Sequence, residues 1–116
     1  MTQIPYCSIT TIDDSGRLAD RSPVRLMGWK PGHRLDITVH AGVGRVRASN
    51  DGRLTVATRG YVRIPAVVRR LLGTAVGDRV LVMLQPEQEL LLVYAMATVT
   101  SMLMPPEAPD DVARTS

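Results

Sequence analysis

Shifted by 45 residues against itself, this chain repeats. Arg25-Leu26-Met27-Gly28 falls on Arg70-Leu71-Leu72-Gly73, Gly32 on Gly77 and Arg34 on Arg79. In the same register Leu35, Ile37 and Val39 meet Val80, Val82 and Leu84. Five of the fifteen positions from Arg25 to Val39 are identical, where unrelated stretches share about one, so the match reads as a duplication. A shift of 44 aligns Gly16 with Gly60 and Ile12 with Val56, which gives one copy a single extra residue. The chain of 116 residues thus holds two units of roughly 40, each too small to bury a core alone. They must share one.

Each unit reads as strand, strand, short helix, strand, strand. In the second, Leu54-Thr55-Val56-Ala57-Thr58 alternates, Arg59-Gly60 bends the chain, and Tyr61-Val62-Arg63-Ile64 alternates again. Pro65 opens a helix, Gly73 closes it, and Val68, Leu71 and Leu72 supply its buried stripe. A hairpin over 79–84 and 90–94 follows. In the first unit Ser22 caps a helix begun by Pro23 and ended by Gly28, and the matching hairpin spans 35–40 and 45–49. Asn50-Asp51-Gly52 joins the units as a tight turn, with Asp-Gly supplying a positive φ. The expected fold is mostly β, two fused ββαββ units over 1–53 and 54–94.

The second hairpin is apolar on both faces. Leu81 and Met83 point away from Val80, Val82 and Leu84, and Leu90-Leu91-Leu92-Val93 is apolar throughout. The corresponding outward residues of the first unit are Asp36, Thr38, Arg45 and Arg47. A bare apolar strip requires a cover. Met96, Val99 and Leu103 recur at helical spacing, which predicts a C-terminal helix over 95–104. That helix either packs on its own hairpin or builds a homodimer interface with Leu81 and Met83. The Pro- and acid-rich stretch 105–116 reads as a disordered tail.

Lys30 is the only lysine among 14 basic residues. Arginine presents a planar five-donor fork suited to phosphates and guanine edges, although a GC-rich genome would also enrich it. Glu107, Asp110 and Asp111 outweigh Arg114 in the tail, so the body is more basic than the net +3 of the whole chain. No apolar run approaches the roughly 18 residues that span a bilayer, and the first ten residues lack a basic, then apolar, leader pattern. The expectation is a cytoplasmic protein without a membrane segment. One cysteine, Cys7, excludes an intrachain disulfide and a Cys-cluster zinc site. His33 and His40 have no ligand spacing, Asp13-Asp14 reads as a charge pair beside a turn, and Gly42-Val43-Gly44 lacks the context of a phosphate loop. Nothing supports catalysis, a cofactor or a metal.

From Gly60 through Ile64-Pro65, Leu72-Gly73 and Val76-Gly77-Asp78-Arg79-Val80, the chain resembles the AbrB/MazE/SpoVT group of DNA-binding domains. That group has a Gly-Arg-x-x-Ile-Pro strand, a short helix ending in Leu-Gly, then Gly-Asp and a hairpin. A weaker copy runs from Asp13-Asp14-Ser15-Gly16-Arg17 through Gly28 to Gly32-His33-Arg34. The resemblance implies a swapped-hairpin barrel, here from two tandem units in one chain. It also implies a DNA-binding transcriptional regulator or the DNA-binding half of a toxin–antitoxin pair. The family's Gly-Arg step maps to Gly16-Arg17, whereas Tyr61 stands where the second unit should carry that arginine. Its paired helix arginines map to Arg69 and Arg70, with Arg25 alone in the first unit. Asp20-Arg21-Ser22-Pro23 departs from the Ile-Pro strand.

Alternation alone points the same way. With Val62 and Ile64 inward, Arg59, Tyr61 and Arg63 share the outward face, while Arg69 and Arg70 lie off the apolar stripe of the helix. No acid occurs from Arg53 to Gly77. Arg17, Arg21 and Arg25 occupy equivalent places in the first unit, tempered by Asp13, Asp14 and Asp20. These eight residues form the candidate interface for double-stranded DNA. The alternative function is an antitoxin with a cognate toxin, or another protein-interaction module.

Overall fold

The computed structural model describes residues 6–105. Six strands form one antiparallel sheet: β1 (Cys7–Thr11), β2 (Arg34–His40), β3 (Val43–Ala48), β4 (Leu54–Thr55), β5 (Arg79–Gln85) and β6 (Leu90–Ala95). Their spatial order is β1-β5-β6-β3-β2-β4. Three helices accompany them, α1 (Ser22–Met27), α2 (Ala66–Leu72) and α3 (Met96–Leu103). The mostly β architecture is as expected. No helix among the described residues is long and apolar enough to cross a membrane.

Two pairings are local. β2 returns to β3 through Ala41 and Gly42, both at positive φ (52° and 76°), the conformation a two-residue hairpin loop demands. β5 returns to β6 through a 3-10 turn at Pro86–Gln88 closed by Glu89. The other pairings join distant parts of the chain. Ile9 of β1 lies opposite Leu81 of β5, Val46 of β3 opposite Leu91 of β6, and Leu54 of β4 opposite Leu35 of β2. Each hairpin is therefore bordered on both sides by strands from the other half of the sequence. Loop bonds follow the same arrangement. The backbone of Ile12 donates to Asp78 O (3.0 Å) and accepts from Gly77 N (2.7 Å). Val56 likewise donates to His33 O (2.9 Å) and accepts from Gly32 N (2.9 Å). The two sets differ by the 44–45-residue offset visible in the sequence.

Period-2 alternation explains the core. Val80, Val82 and Leu84 of β5 are fully buried, while Arg79 is exposed and Leu81 and Met83 are half-buried. In β6 Leu90, Leu91, Leu92 and Val93 are all buried, so this strand is covered on both faces. α3 lies against β5 and β6. Its end does not: Leu103, expected in the buried stripe, is 78% exposed, and Met102 and Met104 are exposed beside it. An eight-residue helix following directly on β6 does not bring its last turn back onto the sheet. α2 packs on β2 and β3, with Leu72 ending close to Gly44.

Several local expectations are corrected. The second strand expected at 61–64, and its counterpart in the first unit, form single bridges instead (Ile12 with Leu18, Arg17 with Arg63). They bond to each other, Leu18 N to Val62 O (2.9 Å) and Ile64 N to Gly16 O (2.8 Å). The sheet is open, with β1 and β4 as its edges, because β4 ends after two residues where the chain turns into a 3-10 turn at Thr58–Gly60. The N-cap of α1 is Arg21, not Ser22; the Ser22 amide donates to Asp20 Oδ1 (2.9 Å). Leu71 is 63% exposed, since seven helical residues on a flat sheet bury only the narrow line through Val68 and Leu72. Of the expected tail at 105–116, all but Pro105 lies outside the described residues.

Gly52 is needed for space, not for a left-handed conformation. A Cβ there would overlap the backbone of Leu35, with the Leu35 nitrogen only 2.8 Å away. Gly28, by contrast, closes α1 at φ 72° with nothing within 4 Å of a Cβ. Gly52→Ala is expected to destabilise by about 1–3 kcal/mol, because the Leu35 atoms in the way are all backbone and cannot swing aside. Gly28→Ala should cost about 1 kcal/mol of left-handed strain. Urea unfolding followed by circular dichroism gives the order.

Candidate nucleic-acid interface

The loop 13–17 is built by one carboxylate. Asp13 Oδ1 accepts the amides of Ser15 (2.9 Å) and Arg17 (2.8 Å), and the Gly16 amide donates to Asp13 O (2.9 Å) with Gly16 at φ 80°. This turn delivers Arg17 into its bridge opposite Arg63, so the two side chains leave the same face. Like charges directly opposite one another are unfavourable. Arg17 is partly neutralised by Asp13, whose Oδ2 accepts from its Nε at 2.8 Å. That is the single ion pair among the described residues.

Tyr61 gathers the rest. The guanidinium carbon of Arg17 sits 4.1 Å from its ring centroid and that of Arg21 5.2 Å. Arg21 Nη1 also donates to the carbonyl of Arg59 (3.1 Å), which the left-handed backbone of Arg59 (φ 70°) turns outward. Stacking on the ring face attracts each cation by about 0.5–1 kcal/mol at an exposed site. At the 44-residue offset Tyr61 is the counterpart of Arg17 itself. A second arginine there would repel the first; the tyrosine holds it. Four of the eight expected residues, Arg17, Arg21, Tyr61 and Arg63, are thus brought together; Arg59 joins them only through its backbone carbonyl, because it stands on a 3-10 turn and not on the expected strand, with its side chain exposed.

The remaining three divide. Arg69 is half-buried and structural in part: its Nη1 donates to Ile64 O at 2.6 Å and packs so closely on Gly16 that a Cβ there would lie 2.5 Å away. Sequence periodicity places it off the apolar stripe but carries no sign that its guanidinium folds back to a carbonyl five residues earlier. Arg25 and Arg70 are exposed in the last turns of α1 and α2, where cations suit the helix dipole, and among the described residues no ion pair or ring contact joins them to the Tyr61 cluster. Two residues escape the sequence reading. Asp13 is an ion partner, not merely one of a solvated pair, and its four-residue spacing to Arg17 is the signal that could have exposed it. Arg53 lines a cleft together with Arg63 and Arg69.

Asp20 braces the approach to α1. Its Oδ2 accepts from the hydroxyls of Tyr6 and Ser8 (2.8 Å to Ser8), and its Oδ1 from the Ser22 amide. Burial alone would raise its pKa. The hydrogen bonds from Tyr6, Ser22 and Ser8 outweigh that and hold it below the ordinary 3.8. In Asp13, too, desolvation is outweighed, there by the Arg17 and Ser15 donors. No protein-family model matches the chain, and no curated protein matches it.

A carboxyl with a depressed folded-state pKa stabilises fully above its unfolded value and loses that contribution as pH falls through the folded one. Stability should therefore be flat above pH about 4 and fall below it. Asp20→Asn is expected to lose about 1–2 kcal/mol at neutral pH and to show a shallower acid limb. Thermal unfolding across the acid range reads both.

Proposed function

We propose that this protein binds double-stranded DNA with sequence preference and acts as a transcriptional regulator. The observation that carries the reading is the gathering of Arg17 and Arg21 on Tyr61, with Arg63 on the same face and a single ion pair, Asp13 with Arg17, among the described residues. A duplex offers rows of phosphates and guanine edges, and a guanidinium fork engages both. Behind this surface we read two fused AbrB-like units, 1–53 and 54–94, that exchange strands. The matched loop bonds of Ile12 and Val56 support that reading, as does the bordering of each hairpin by the other half. Arg17, Arg21 and Arg25 on one side and Arg59, Tyr61, Arg63, Arg69 and Arg70 on the other make unlike half-surfaces. A single chain of this kind suits an asymmetric DNA site better than a palindrome.

A protein-interaction role, as antitoxin or as homodimer, has one observation in its favour: the exposed apolar end of α3 at Met102, Leu103 and Met104. Under that reading Leu103→Glu dissociates a complex without touching DNA affinity.

Binding to random-sequence duplexes, followed by fluorescence anisotropy, should weaken with salt at a log–log slope near −5 if about six arginines neutralise phosphates. Arg21→Ala and Arg70→Ala should each make the slope shallower by about one, with the circular-dichroism spectrum unchanged. An unaltered slope in both variants would remove them from the interface.

A further inference from the structure

We infer that the cleft between Arg53, Arg63 and Arg69 seats a backbone phosphate of the bound nucleic acid, with Arg53 as a contact outside the Tyr61 cluster. The identity of the ligand rests on the DNA-binding reading above; the charge of the ligand does not. Three of the residues lining this open cleft of ≈ 520 Å³ are arginines and none is acidic. Arg53 precedes β4, Arg63 stands in its bridge opposite Arg17, and Arg69 is anchored on Ile64 O. That anchor fixes one guanidinium in place before any ligand arrives. No ion pair among the described residues neutralises any of the three.

Cations that share a concave site repel, and the repulsion grows where the walls exclude water. A tetrahedral oxyanion relieves it and accepts several N–H donors at once. Continuity selects a polyanion over an isolated one. Arg63 belongs both to the cleft and, through its bridge to Arg17, to the face that carries Tyr61. A strand whose phosphates follow that face has its next charge at the cleft.

The test has two arms. Thermal unfolding of the wild type, Arg53→Ala and Arg63→Ala is measured in inorganic phosphate and in chloride at matched ionic strength. Phosphate should raise the wild-type midpoint above that in chloride, and both variants should lose this gain. In chloride Arg53→Ala should unfold no lower than the wild type, since it removes repulsion and no bond. In the second arm Arg53→Ala should make the salt slope of duplex binding shallower by about one. No phosphate-specific gain in the wild type, or a gain that survives in Arg53→Ala, overturns the seat. An Arg53-dependent gain with an unaltered duplex slope overturns the nucleic-acid assignment in favour of a free phosphate or small phosphorylated ligand. Wild-type protein that binds no duplex yet keeps the Arg53-dependent gain fails the DNA reading while the anion seat stands.

Discussion

Two backbone hydrogen bonds, Leu18 to Val62 and Ile64 to Gly16, hold the arginine-bearing surface in place. They cross segments more than forty residues apart and so set which side chains of the two halves meet. Through them Arg17 faces Arg63, Tyr61 lies within reach of Arg17 and Arg21, and Gly16 packs on the Arg69 guanidinium. Leu18, Val62 and Ile64 are almost wholly buried, which shields these bonds from water and strengthens them. Loosening this crossing would scatter the arginines even if the sheet survived.

The crossing also creates an electrostatic problem that the sequence resolves unequally. Where the two halves cross, Arg17 lies directly opposite Arg63, so two cations are forced together. The Tyr61 ring under the Arg17 guanidinium sets attraction against that repulsion, and Asp13 takes up part of the remaining charge. Arg63 and Arg53 receive no such compensation among the described residues. The unequal treatment separates arginines held by contacts within the protein from arginines without an ion pair among the described residues.

How much of this was legible depends on the range of the interaction. Both hairpins follow from alternation and turn residues, and they lie within a residue or two of where the pattern puts them. The outward facing of Tyr61 and Arg63 was legible for the same reason. What alternation cannot supply is the partner: 61–64 pairs with 16–18, and nothing local says so. Leu71 looks buried by spacing, yet a two-turn helix resting on a sheet has room for only one line of contact. Gly52 was legible as a glycine that matters but not as the site of a backbone approach, because Leu35 lies seventeen residues earlier. The Arg69 bond spans only five residues, but alternation and helical spacing say nothing of where the tip of a long side chain ends.

The pairing of Cys7 with Met83 at one end of the β1–β5 ladder has a temporal consequence. During translation β1 emerges with its hydrogen-bonding edge open, and its partner is synthesised only after most of the chain has left the ribosome. At roughly 5–20 residues per second the delay is on the order of several seconds. Until then the nascent N-terminal half carries an unsatisfied strand, including the apolar Ile9, that neighbouring polypeptides or a chaperone can bind. The pace of elongation therefore governs how long this chain is exposed to mispairing before it can close on itself.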